Sequence, residues 1–82
     1  MRPIVEIETE HPEGPVYLWF AEKGDAARSE ISDNPEVVVD YDANENVIGV
    51  ELITTTPDEI ETLAKIAKRH NLALTALFAR AA

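Results

Sequence analysis

The apolar positions change their period once along the chain, near residue 56. Before that point they tend to alternate, as in strands; after it they recur every three or four residues, as on a helix face. Ile4-Val5-Glu6-Ile7-Glu8 is a short alternating stretch and a candidate edge strand, ended by the breakers His11-Pro12-Glu13-Gly14-Pro15. Val16-Tyr17-Leu18-Trp19-Phe20 is a run of β-favouring residues. It puts Val16, Leu18 and Phe20 on one face and Tyr17 and Trp19 on the other. Glu22-Lys23-Gly24-Asp25 reads as a hairpin turn into a weaker strand over 26–31, and Ser32-Asp33-Asn34-Pro35 as another turn. Residues 36–41 and 47–53 are strong strands joined by the turn Asp42-Ala43-Asn44-Glu45-Asn46. Turns at this spacing predict an α+β fold that begins with an antiparallel β-meander of four strands, or five if residues 2–8 join the sheet.

Residues 57–82 predict one or two C-terminal helices packed on one face of the sheet. Thr56, Pro57 and Glu59 spell a capping box with proline at the first helical position. Acids Asp58, Glu59 and Glu61 sit near the helix start; Lys65, Lys68 and Arg69 sit near its end, complementing the helix dipole. Ile60, Leu63, Ala64 and Ala67 form the expected apolar stripe. Asn71 is placed to end this helix in a left-handed cap, with a second helix burying Leu74, Leu77 and Phe78; the alternative is one helix through Asn71. The whole reads as a single domain, 1–82, with a sheet core over 16–53.

So short a helical segment shields one face of the sheet. The other is expected to offer an interface drawn from Tyr17, Trp19, Ile48, Val50 and Leu52, joined by Leu74, Leu77 and Phe78. The expected partner is a second copy, joined through that face, the C-terminal helices, or both.

Charge narrows the partners. Residues 1–56 carry thirteen acids and three bases, and residues 57–82 carry three acids and four bases. A net charge of −9 argues against nucleic acid, whose phosphates need Lys and Arg, and leaves a basic protein as a possible partner. Lys65, Lys68, Arg69 and Arg80 read as a solvated helix face. No apolar run approaches the roughly 20 residues of a membrane helix, and the first residues lack the apolar core of a signal peptide. The chain has no cysteine, which fits a reducing cytoplasm and removes thiol chemistry and cysteine-ligated metals.

Four segments occur in an order that resembles a small bacterial family, domain of unknown function 2283. They are Val16-Tyr17-Leu18-Trp19-Phe20, Ala27-Arg28-Ser29-Glu30-Ile31, Val37-Val38-Val39-Asp40-Tyr41-Asp42 and Val47-Ile48-Gly49-Val50-Glu51. The resemblance implies an antiparallel sheet plus helix and carries no activity or catalytic residue with it. Where the family has a turn glycine this chain has Glu45, so the left-handed position is expected at Asn44 or Asn46.

Candidate chemistry is sparse. Asp40, Asp42 and Asn44 stand at positions 1, 3 and 5 of a calcium-loop spacing, with Glu51 at position 12. Glu45 occupies the position that needs glycine, and the flanks are strands, so the segment reads as a hairpin with solvated acids. His11 is flanked by Glu10 and Glu13, a weak metal site at most, and His70 reads as a helix-end residue. Ser29 and Ser32 lack a nucleophile-elbow pattern, and three glycines make no phosphate loop. Gly49, inside a strand, reads as a bulge or as a seat for an aromatic ring. No cofactor is expected. The reading is a non-enzymatic interaction module, homodimeric; alternatives are an antitoxin-like neutraliser of a basic partner and a metal-binding protein or small enzyme using Asp40, Asp42 and Glu51.

Overall fold

Among the described residues six short strands precede the first helix: β1 (Arg2–Pro3), β2 (Glu6–Thr9), β3 (Val16–Trp19), β4 (Arg28–Ile31), β5 (Val37–Tyr41) and β6 (Val47–Leu52). They are followed by α1 (Pro57–His70), β7 (Leu72–Ala73) and α2 (Thr75–Ala81). This computed structural model describes residues 1–9 and 14–81, and the side chains of residues 1–9 and 14–78. The expected α+β class holds: a five-stranded antiparallel sheet carries α1 on one face.

The strand order β2-β3-β6-β5-β4 departs from a plain meander. The segment 22–25 does not close a hairpin. The chain leaves β3 beside the middle of the sheet and crosses to the far edge, where β4 pairs with β5. Three hairpin-connected strands with β3 returned beside β6 make a Greek key. Side-chain chemistry explains the choice. β3 has apolar residues on one side and aromatics on the other, so it suits the interior. Arg28-Ser29-Glu30-Ile31 is polar at three of its four positions, and all four residues are exposed, as an edge tolerates. Residues 6–9 do join the sheet, as its other edge.

The inner face follows from the register. Ile7, Leu18, Val50 and Val39 align across four strands, and Val16, Leu52 and Val37 across three. Leu63, Ile66 and Ala67 of α1 close over them. The helix is therefore rotated slightly from the expected stripe: Ala64 is exposed and Ile66 is buried in its place, which covers more apolar surface. Asn71 adopts φ 56° and ends α1, its N–H donating to the Ala67 carbonyl. The chain then runs through β7, parallel to β1, into α2. Leu74 and Leu77 pack against the core, whereas Phe78 is 55% exposed.

Two expectations need correction here. Val50 and Leu52 belong to the inner face and are 0% exposed, so they cannot form the outer interface. The register shift at Asp40/Tyr41 brings Val47 opposite Tyr41, which makes Ile48 the extra residue of a bulge, buried outside the main core cluster. The left-handed turn residue is Glu45 itself, at φ 66°, not Asn44 or Asn46. Asp42 explains this: its carboxylate accepts the N–H groups of Asn44 (2.8 Å) and Asn46 (3.0 Å) and holds the turn in one shape.

Candidate functional site

The outer face is read directly from the ladder. One row is Glu6, Trp19, Gly49, Asp40 and Ser29; the next is Glu8, Tyr17, Glu51, Val38 and Ile31. Among the described residues no helix or strand packs on it. Its centre is an aromatic pair. The rings of Tyr17 and Trp19 lie 4.6 Å apart at 51°. Tyr17 can occupy this place because Gly49 leaves it: a Cβ at Gly49 would stand 2.0 Å from the phenol oxygen.

Carboxylates hold both rings. The Tyr17 hydroxyl donates to Asp40 Oδ2 (2.6 Å), and Ser29 donates to Asp40 Oδ1. Trp19 Nε1 donates to Glu8. Lys23 bridges Glu6 (2.6 Å) and Glu8 (3.0 Å). Partial burial, the hydrogen bond to Asp40 and the neighbouring charges of Asp40, Glu51 and Glu8 raise the Tyr17 pKa, so the phenol stays protonated and keeps donating. The Glu8 carboxyl is lowered, first by Lys23 and then by Trp19. A shallow cavity of about 390 Å³ opens beside the rings, lined by Glu8, Thr9, Pro15, Tyr17, Trp19 and Glu51.

A second cavity, of about 370 Å³, lies between β4 and α1, where Glu30, Tyr41, Lys65, Arg69 and His70 meet. Tyr41 Oη stands 3.5 Å from His70 Nε2, and Arg28 stacks 4.0 Å over the Tyr41 ring. Burial, then Arg69, lowers the His70 pKa; burial raises that of Tyr41.

The calcium-loop residues divide between different surroundings. Asp40 faces Tyr17 and Ser29 on the sheet, whereas Asp42 is used inside the turn. Asn44 is in that turn, and Glu51 lies on the outer face two residues beyond Gly49. Among the described residues no three His, Asp or Glu side chains are placed to hold a metal. His11, Glu10 and Glu13, and the Arg80 side chain, lie outside the described residues.

Of the expected interface residues, Tyr17 and Trp19 share the outer face, and Leu74, Leu77 and Phe78 lie apart from it at the C-terminal end. Asp40, expected as one of the solvated acids of the hairpin, is the anchor of the aromatic pair. The signal in the sequence is the alternation through Val37-Val38-Val39-Asp40-Tyr41, which sets Asp40 opposite the core residues.

These features define the protein as a small antiparallel α+β domain with an open, acid-rimmed aromatic sheet face. Residues 16–54, covering β3 to β6, match the model of a family described as protein of unknown function (DUF2283). No curated protein and no solved structure matches the chain. No described helix is long and apolar enough to cross a membrane.

Proposed function

We propose that this protein is a non-enzymatic, cytoplasmic protein–protein interaction module whose outer sheet face receives a basic segment of a partner protein. The observation that carries it is the half-buried Tyr17–Trp19 pair framed by Glu6, Glu8, Asp40 and Glu51. Aromatic faces attract cations, and carboxylates at the rim bind guanidinium and ammonium groups. Burial of a Trp or Tyr at the centre of a contact supplies the largest share of its energy. The same acids oppose pairing of this face with a second copy of itself, since four carboxylates would meet four. An antitoxin-like neutraliser of a cationic protein is the specific form this reading takes. The non-enzymatic part is supported by the hydroxyls: Ser29 donates to Asp40, and Ser32 to the Asn34 carbonyl at 2.7 Å, so each is used in the fold.

Calorimetric titration with an oligoarginine peptide, set against an oligoglutamate peptide of equal length, tests it. Oligoarginine is expected to bind saturably and more weakly as salt rises, with affinity reduced about tenfold or more by Trp19→Ala. No saturable binding, or equal binding by a Glu8→Gln/Glu51→Gln variant, would rule the outer face out as the receiving surface.

A further inference from the structure

The two edges of the sheet differ in what they permit. β2 is Glu6-Ile7-Glu8-Thr9. Every two-fold antiparallel pairing of β2 with another β2 that keeps side chains on their own face sets a glutamate against a glutamate. That edge is closed to a second copy by charge.

β4 is the opposite case. Ser32 N–H donates to the Val37 carbonyl (3.0 Å), so by alternation Glu30 also turns its backbone toward β5. Ser29 and Ile31 then direct theirs to the open edge. The side chains of Arg28 and Glu30 stand on the helix side, in register with Tyr41 and Val39, and Ser29 and Ile31 stand on the outer side. A two-fold register centred on Ser29 joins Ser29 to the partner's Ser29. It sets Arg28 against the partner's Glu30, and Glu30 against the partner's Arg28. Ile31, 68% exposed, then reaches the end of the partner's strand, where the Ala27 N–H stays on the Tyr41 carbonyl of its own chain (2.8 Å).

Arg28 is prepared for this contact. Its Nε and Nη2 donate to Glu45 at 2.8 and 2.6 Å, and its guanidinium rests on the Tyr41 ring. Its Nη1 reaches only as far as Glu30 of its own chain, at 3.4 Å. The guanidinium is thus fixed at the edge with a donor to spare.

We propose that two copies of this chain join through β4, antiparallel and centred on Ser29, into one continuous sheet closed by two reciprocal Arg28–Glu30 pairs. The contact uses the edge strand and leaves Tyr17, Trp19 and their acids uncovered, so it stands or falls apart from the partner proposed above.

The test is the mass in solution, by light scattering after size exclusion, with circular dichroism confirming the fold of each variant. The parent is expected to be a dimer at high micromolar concentration. Arg28→Glu and Glu30→Lys each place two like-charge pairs in the contact, and each is expected to weaken it tenfold or more. An equimolar mixture of the two is expected to recover the dimer mass as a heterodimer, because every pair is then again opposite in sign. Ser29→Pro removes an edge N–H and leaves the backbone ladder to β5, at the loss of the Ser29–Asp40 side-chain bond, and is expected to yield a folded monomer. A monomeric parent would overturn the proposal. So would variants as dimeric as the parent, or a mixture that stays monomeric while both variants are folded.

Discussion

At Gly49 the outer face has no side chain of its own, and the Tyr17 phenol fills the space. Gly49→Ala would drive the ring away and break its bond to Asp40. The expected loss is about 1–3 kcal/mol of folding stability, measured by urea unfolding, with a change in Trp19 fluorescence because the two rings touch. Asn71 is a second single-residue control. Its left-handed backbone lets α1 stop and the chain turn into β7. Asn71→Ala is expected to cost about 1 kcal/mol by the same unfolding measurement, and Asn71→Gly to be neutral or better. Asn71 was legible in the sequence, because a terminator after a basic last turn has few other readings. Glu45 was not: the Asp42 carboxylate that holds the left-handed conformation one residue beyond Asn44 acts through space as much as through the local pattern.

The element with the most to lose in acid is α1. At its start Glu59 is 4% exposed, and its carboxylate accepts hydrogen bonds from Thr54, the Thr56 hydroxyl (2.8 Å) and N–H (3.1 Å), and Asn34 (2.9 Å). These hold its pKa at about 2, below the ordinary 4.5. A lowered folded pKa stabilises the fold above the unfolded value, and that stability is lost as pH falls through the folded one. At the other end the His70 pKa is also lowered, so stability begins to fall below its ordinary 6.5. Melting temperature followed from about pH 8 to about pH 2 is expected to decline in two stages. His70→Gln is expected to remove the first. Glu59→Gln is expected to reduce the second, which Glu8, Asp42 and Glu45 share through their own lowered pKa values, and to lower the melting temperature at neutral pH by several degrees, since the buried amide cannot accept all of these bonds. The capping box was legible from Thr56 and Glu59. The bond from Asn34, twenty-five residues away, was not, because it forms only when the β4–β5 turn meets the helix start.

Over the whole molecule, thirteen acids in the first 56 residues repel one another, and Lys23 and Arg28 neutralise only part of that charge. Melting temperature is therefore expected to rise from low salt to about 0.5 M sodium chloride, as screening relieves the repulsion. A flat or falling curve would show that the Lys23 and Arg28 ion pairs outweigh the repulsion. Local order along the chain set the α+β class, the strands built from alternation, the capped helix and its left-handed stop, because each rests on neighbours in the chain. It also determined which aromatics oppose Leu18, since alternation within one strand is local. The tertiary structure alone decided that β3 lies beside β6, that Val50 and Leu52 turn inward while Ile48 is bulged out of register, and that Asp40 reaches Tyr17 across Gly49. Those choices depend on which strands share a ladder, and that is settled by how completely each candidate neighbour buries both faces of β3.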